Sequence, residues 1–368
     1  MSERKVVRSL MIKPASSACN LNCTYCFYRD EASNRVVACH PPMTMDTARN
    51  LLVKILDGAD GVHIGFQGGE PSLVGLDWFR RFFALAEEVN TGRVPISWFF
   101  QTNGTLLDDE WGEFFRKKRV LVGISADGFP RLHNLFRRTN DGARSSSDVE
   151  KGIQAMVRQG VDFNILIVVT NEVCDNLDAL WDYFLDRGLV YHQYIACMDP
   201  LHGDENRFLS PEKYGRFLVA LFDKYEHAIR SGRMVSIRLF ENWMNELFGV
   251  PPEACDMRGI CSVQYVSESD GTIYPCDFCC TDEFELGNIN RVDIADIDRR
   301  REELMFVERG LPLPEKCRAC QYVALCRNGC PRYRDSDNLY RFCESYLYFF
   351  SHRFRAMASL AEVIARTR

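Results

Sequence analysis

The chain has 368 residues, 46% of them hydrophobic and 26% charged, the makeup of a soluble globular protein with one large domain and a smaller one. A formal net charge of −6 leaves no general basic patch and excludes nucleic acid as a partner. No apolar run approaches the roughly 18–20 residues that cross a bilayer, and the start MSERKVVRSLMIKP is too short in its apolar part for a secretion signal, so a cytoplasmic protein with no membrane partner is expected.

Strand-like and helix-like periods then alternate. Ser9–Lys13 is a short apolar strand leading into Cys19-Asn-Leu-Asn-Cys23-Thr-Tyr25-Cys26. Thr44 caps a helix with Met45, Ala48, Leu52, Ile55 and Leu56 on one face. Strand Val62–Phe66 ends in Gln67-Gly68-Gly69-Glu70-Pro71, and a helix over Trp78–Val89 follows. Strand Ile96–Phe100 ends in Gln101-Thr102-Asn103-Gly104, helix Asp108–Lys118 follows, and strand Leu121–Ser125 ends in Asp127-Gly128. Helix Asp148–Gln159, strand Phe163–Val169, helix Leu177–Arg187 and strand Tyr191–Ala196 close the series. Several strands are unbroken apolar runs, as strands covered on both faces are. This alternation predicts an α/β protein with a parallel sheet, and pattern alone does not separate barrel from open sheet. Glycine and polar residues gather just after the strands, at 68–70, 101–104 and 125–128, on the edge where a parallel barrel builds its site.

Ser210–Arg230 reads as an amphipathic helix that turns Phe217, Leu221, Phe222 and Tyr225 toward the barrel, and Ile237–Phe248 continues in a helical or mixed pattern. Regions 1–233 and 234–368 divide the chain into two domains, with Val250-Pro-Pro a further boundary. Ser262–Glu268 and Thr272–Phe278 flank Asp270-Gly271, the strongest short-range hairpin signal, and the hairpin brings Cys276 near Cys261. A helix ends the chain.

Sixteen cysteines are many for a reducing compartment, where disulfides do not persist. Eleven fall into spaced groups at 19, 23, 26; 255, 261, 276; and 317, 320, 326, 330, 343. Soft thiolates at that density select zinc or iron–sulfur clusters. Zinc ribbons come as two CxxC pairs, whereas three close cysteines leave one iron of a cubane open to a small molecule. Cys39, Cys174, Cys197, Cys279 and Cys280 are left over and read as small buried apolar residues. A zinc-stabilised binding protein without catalysis is the reading of a different class, which iron and sulfide analysis separates.

The first triplet resembles the CxxxCxΦC signature of radical S-adenosylmethionine (radical SAM) enzymes, with Tyr25 as the aromatic before the last cysteine. The resemblance implies an incomplete (β/α)6 barrel, a cluster held by Cys19, Cys23 and Cys26, and S-adenosyl-L-methionine at the open iron. Gly68-Gly69-Glu70-Pro71 matches the family's GGEP step, whose backbone and glutamate hold the methionine amino group, with Gln67, Gln101 and Asn103 close to the cofactor. Ser125-x-Asp127-Gly128…His133-Asn134-x-x-Arg137 resembles a stretch whose serine and arginine contact ribose or carboxylate, and Arg138 is a second candidate for the arginine. Cys261-x9-Gly271-x4-Cys276 with Cys317-x2-Cys320-x5-Cys326-x3-Cys330-x12-Cys343 resembles the SPASM domain. That implies two auxiliary [4Fe-4S] clusters, one on Cys255, Cys261, Cys276 and Cys330 and one on Cys317, Cys320, Cys326 and Cys343, for three in all. Full ligation makes the auxiliary pair electron carriers.

An oxidation that starts with hydrogen-atom removal still has to shed a proton and an electron, and Asp277 stands directly after Cys276, a base beside an electron sink. Lys13-Pro-Ala-Ser-Ser, Cys26-Phe-Tyr28, Phe66-Gln67-Gly-Gly-Glu-Pro, Gln101-Thr-Asn-Gly-Thr, Phe163-Asn-Ile-Leu and Tyr274-Pro-Cys-Asp277-Phe resemble the anaerobic sulfatase-maturating enzymes, over Ile12 to about Tyr346. The resemblance implies oxidation of a Cys or Ser in a sulfatase (C/S)-x-(P/A)-x-R motif to Cα-formylglycine. It makes Asp277 the catalytic base and sets Tyr28 near the substrate, with a flavodoxin- or ferredoxin-like protein as electron donor. Ala126 and Phe129 vary the SxDGP stretch, and the Cys279-Cys280 pair is unfamiliar. The span before the last cysteine is also short; these departures open substrate choice more than reaction class. The alternative is another SPASM peptide maturase that forms thioether or carbon–carbon crosslinks. No N-terminal peptide-recognition domain fits before Cys19, which weighs against it.

Overall fold

The computed structural model describes residues 5–202, 207–311 and 313–367. The chain divides into two compact units, one from Met1–Ala126, Asn134–Phe163 and Val263–Phe306, the other from Asp127–His133, Asn164–Ser262 and Val307–Arg368. The hairpin of the cysteine-rich region thus lies in the same unit as the first cysteine triplet.

In the first unit β1 (Val7–Ile12), α1 (Phe27–Ser33), α2 (Met45–Leu56), β2 (Gly61–Phe66), α3 (Leu76–Val89), β3 (Ile96–Thr102), α4 (Asp109–Lys118) and β4 (Val120–Ser125) follow one another. The strands are parallel and in register, Ile12 opposite Phe66, Phe66 opposite Phe100 and Thr102 opposite Ile124, so all four end at the same edge. Val62, Ile64 and Phe66 of β2 are buried while His63 is exposed, the period of two that points one face at the core. That core is aromatic: Phe66 meets Phe79 of α3 edge-on at 5.0 Å, and Phe79 meets Phe100 of β3 at 5.2 Å. Helix starts follow capping chemistry. Thr44 accepts a hydrogen bond from the Thr47 backbone at 3.2 Å, and Asp108 accepts from Glu110 and Trp111 at 3.0 Å each.

On the other side of β1, strand Tyr265–Ser267 runs parallel, with Leu10 opposite Tyr265 and Ile12 opposite Ser267. It turns back antiparallel into Thr272–Tyr274, which pairs with Gly287–Asn288. Gly271, at a φ of +92°, makes the turn that the Asp-Gly pair predicts. The ladder is shorter than expected on both arms. Pro275 has no N–H to extend it, and the chain then tightens into a 3₁₀ turn at Asp277–Cys279.

In the second unit strands Phe163–Val169, Tyr191–Ala196 and Ser236–Ile237 are parallel neighbours. Helix Pro211–Arg230 buries Phe217, Leu221, Phe222 and Tyr225 as its periodicity predicts, and Ser210 caps it through the Lys213 amide. Phe217 packs on Tyr194 of the sheet at 5.7 Å, and Phe222 packs on Phe349 of the final helix, Cys343–Thr367, at the same spacing. The segment after 236 resolves into that two-residue strand and helix Arg238–Glu246. Among the described residues no helix is long and apolar enough to cross a membrane.

Candidate active site

The loop after β1 is folded onto the loop after β2. Gly69 donates to the Ser16 carbonyl at 2.9 Å and Glu70 to the Ala18 carbonyl at 2.8 Å. A Cβ on Gly69 would overlap the Ala18 carbonyl oxygen and lie 2.6 Å from its carbon, and Gly68 sits at a φ of +130°. The close approach these glycines permit is therefore to the chain's own cysteine loop, which places Cys19. Glu70 is fully buried and its carboxylate is spoken for: it accepts from Ser72 N (3.0 Å), Ser72 Oγ (2.6 Å), Thr102 Oγ1 (2.8 Å) and Asn103 N (2.7 Å). Burial pushes its pKa up and these four donors pull it back, with a net rise. The carboxylate ties the end of β2 to the end of β3.

Cys19, Cys23 and Cys26 lie together in that loop, all half-buried. The Leu21 amide donates to Cys19 Sγ at 3.4 Å and the Asn103 side chain at 3.8 Å, while Cys26 leads into α1. Burial pushes the Cys19 thiol up to about 12. Arg137 is buried with its guanidinium 5.4 Å from the Tyr25 ring centre, whereas Arg138 is exposed and donates to the Gly142 carbonyl. Both adjoin the cysteine loop, Arg138 through its carbonyl, which accepts from the Asn22 amide at 2.7 Å, but only the Arg137 side chain faces it, at Tyr25. Gln101 lies within β3 just before its last residue, and Ser125 ends β4.

Asp277 lies at the foot of the hairpin and is only 7% exposed. Its Oδ2 accepts from Gln67 Nε2 at 2.7 Å, and its Oδ1 is paired with the ammonium of Lys13. Lys13, directly after β1, is 0% exposed; its backbone donates to Ser267 and its Nζ lies 3.7 Å above the Tyr28 ring. Glu268 at the hairpin turn is buried too, accepting from Arg35 Nη1 at 2.7 Å and from the Tyr28 hydroxyl. Two cations and two carboxylates are thus buried together with a tyrosine between them. Burial alone lowers the Lys13 pKa, but Asp277, Cys280 and Glu268 more than reverse it and the net shift is upward. Burial likewise raises Glu268, and Arg35 and Lys13 overcome it to leave it a carboxylate. Phe27 of α1 meets Phe278 at 4.8 Å, fastening the cysteine loop to the Asp277 turn.

Gln67, Tyr28 and Asp277, named from the sequence, are therefore brought together. Lys13, Arg35 and Glu268 were not among the candidates. A lysine closing an apolar strand was the signal for the first; nothing local marks the other two.

In the second unit Cys317, Cys320, Cys326 and Cys343 line one cavity of about 330 Å³ with Lys316, Tyr322 and Asn328. The Tyr322 amide donates to Cys320 Sγ at 3.4 Å. Burial pushes Cys326 up to about 12 and Cys343 up to about 11. Among the described residues no group of three or more His, Cys, Asp or Glu side chains is drawn in to hold a metal ion. Four thiols around a space suit a cubane, which is bound at its corners. Cys255, Cys261 and Cys330 also belong to the second unit and Cys276 to the first.

The radical SAM superfamily matches residues 14–180, and the SPASM iron–sulfur cluster-binding domain matches residues 261–321. A cysteine-type anaerobic sulfatase-maturating enzyme of Clostridium perfringens is 36% identical over 365 residues, 97% of this chain and 99% of that one. A serine-type enzyme of Klebsiella aerogenes is 30% identical over 93% of this chain and 84% of its own. The solved structure of native anSMEcpe with bound AdoMet and Cp18Cys peptide superposes with a TM-score of 0.91 at 35% identity, covering 97% of this chain and 99% of that one. The fold is accordingly the α/β partial barrel with a SPASM extension that the motifs predict.

Proposed function

The chain belongs to the anaerobic sulfatase-maturating enzymes, and from that footing we propose that it oxidises a Cys or Ser in a sulfatase (C/S)-x-(P/A)-x-R segment to Cα-formylglycine. The observation that carries the proposal is the Asp277 carboxylate, buried between Lys13 and Gln67 and one residue from Cys276. Cys19, Cys23 and Cys26 would hold an iron–sulfur cluster, which with S-adenosyl-L-methionine would supply hydrogen-atom abstraction at the substrate β-carbon. Asp277 then takes the proton of the substrate thiol or hydroxyl. Lys13 and Gln67 hold one donor on each of its oxygens, which fixes the orientation of the carboxylate and leaves its other lone pairs for that proton. Cys276 places a ligand of an electron-accepting cluster beside the base.

The backbone of Gly68 and Gly69, with Glu70, Gln101, Asn103, Ser125, Arg137 and Tyr25, forms the cofactor side, and Tyr28 walls the substrate side. Cys317, Cys320, Cys326 and Cys343 hold one auxiliary cluster and Cys255, Cys261, Cys276 and Cys330 the other. The radical chemistry belongs to region 1–233 and the auxiliary clusters to region 234–368. A flavodoxin- or ferredoxin-like protein supplies electrons in the cytoplasm. The cysteine-type relative is matched at higher identity than the serine-type one, so a cysteine peptide is the substrate to try first.

The test is anaerobic incubation with S-adenosyl-L-methionine, a reductant and a sulfatase peptide, read by mass spectrometry. Aldehyde should form with 5′-deoxyadenosine in step. Asp277→Asn should keep cofactor cleavage and lose the aldehyde; an undiminished aldehyde yield removes Asp277 as the base.

A further inference from the structure

Cys276-Asp277-Phe278-Cys279 is a CxxC segment, and it is folded as one: Cys276 is the N-cap of the 3₁₀ turn Asp277–Cys279, and the Cys279 amide donates to the Cys276 carbonyl at 3.1 Å. A turn closed by that bond holds the Cα atoms of its first and fourth residues within about 7 Å, a range that overlaps the separation of about 4.4–6.8 Å a disulfide spans. The Cys279 side chain lies against the Cys276 thiol and, ahead of burial, is what raises its pKa. The third thiol of the turn is committed elsewhere. Cys280 is fully buried among Tyr28, Val266 and Tyr274, and its Sγ donates to the Cys276 carbonyl at 3.4 Å.

We propose that Cys276 and Cys279 are a dithiol that closes to a disulfide whenever Cys276 carries no iron, a reversible modification that withholds Cys276 from the metal. The condition on iron rests on reading Cys276 as a cluster ligand; the closure itself does not. In the step both S–H bonds break and an S–S bond forms. The two electrons and two protons pass to a disulfide oxidant such as oxidised glutathione, which leaves as two thiols. Asp277 lies inside the closed ring, so closure also pins the turn that presents the base.

The full chain, anaerobic with its clusters loaded, and the same chain stripped by air and chelator are each treated with oxidised glutathione. Free thiols are capped with N-ethylmaleimide, and the protein is digested without reductant. In the stripped chain the fragment holding residues 276–280 should be two hydrogens lighter than its fully reduced form with neither Cys276 nor Cys279 capped, and dithiothreitol should restore a cap on each of the two. In the loaded chain the pair should remain unjoined. Cys279→Ser should leave Cys276 capped in the stripped sample. Caps on both Cys276 and Cys279 in the stripped chain, or Cys276 joined to some other cysteine, would overturn the inference. Closure in both samples supports the dithiol and overturns Cys276 as a cluster ligand.

Discussion

Replacing Lys13 by methionine isolates the charge at the base. Methionine keeps most of the aliphatic stem, so the packing over Tyr28 is nearly preserved and the ammonium alone is lost. Asp277 is then left buried with Gln67 as its remaining donor. Breaking a buried ion pair from one side costs about 3–5 kcal/mol, and a pair at about 4 Å is worth about 4 kcal/mol at an effective dielectric of 20, so about 3 kcal/mol of lost stability is expected. Asp277→Asn strands the ammonium instead, where Glu268 and the Tyr28 ring offset part of the loss, at about 2 kcal/mol. The double variant has no charge to strand and should lose about 2 kcal/mol, less than the sum of the singles by about 3 kcal/mol. The assay is urea unfolding followed by circular dichroism, anaerobic, on four samples matched in iron content. Additivity within about 0.5 kcal/mol would refute a coupled buried pair.

Gly69→Ala forces a methyl group against the Ala18 carbonyl, which is backbone and cannot rotate aside, so the cysteine loop must shift. A cost of about 1–3 kcal/mol and loss of iron from the Cys19 site are expected, read by melting temperature and by iron retained in a variant lacking the auxiliary cysteines. Cys326→Ser should lower the iron of the reconstituted protein by about a third, one cubane in three, while 5′-deoxyadenosine formation without peptide persists; unchanged iron removes the four-thiol assignment. His192 is buried beside Trp181, Phe184 and Tyr194, and burial holds its pKa at about 4 despite the Leu189 carbonyl. Above the unfolded value of about 6.5 the ring is neutral in both states and the stability is intact. As pH falls from there toward 4 only the unfolded chain takes the proton, so about 3 kcal/mol is lost. Urea midpoints across that window should fall less steeply in His192→Phe, and parallel slopes would remove His192 as the cause.

Local chemistry is what the sequence carries well. The strand–helix series from Val62 to Ala196 was legible because each period is written within a few residues, and every expected strand there is present. The cysteine triplet and the Cys317–Cys343 group were legible as local spacings, and the fold sets Cys317, Cys320, Cys326 and Cys343 on one cavity. Gly68 and Gly69 were legible as a point of close approach, though what approaches is the chain itself, Lys13 and Ser16 at Gly68 and Ala18 at Gly69.

What the linear order withholds is pairing across distance. Tyr265–Ser267 could have joined any free edge; that it lies along β1 depends on which edge the finished sheet leaves open, and strand edges offer the same amide and carbonyl groups everywhere. That pairing alone brings Lys13 under Asp277 and closes Glu268 over Arg35 and Tyr28. A lysine and an arginine on a surface and the same residues fully buried read alike in one dimension, because the field that decides their charge comes from partners that only the folded chain assembles.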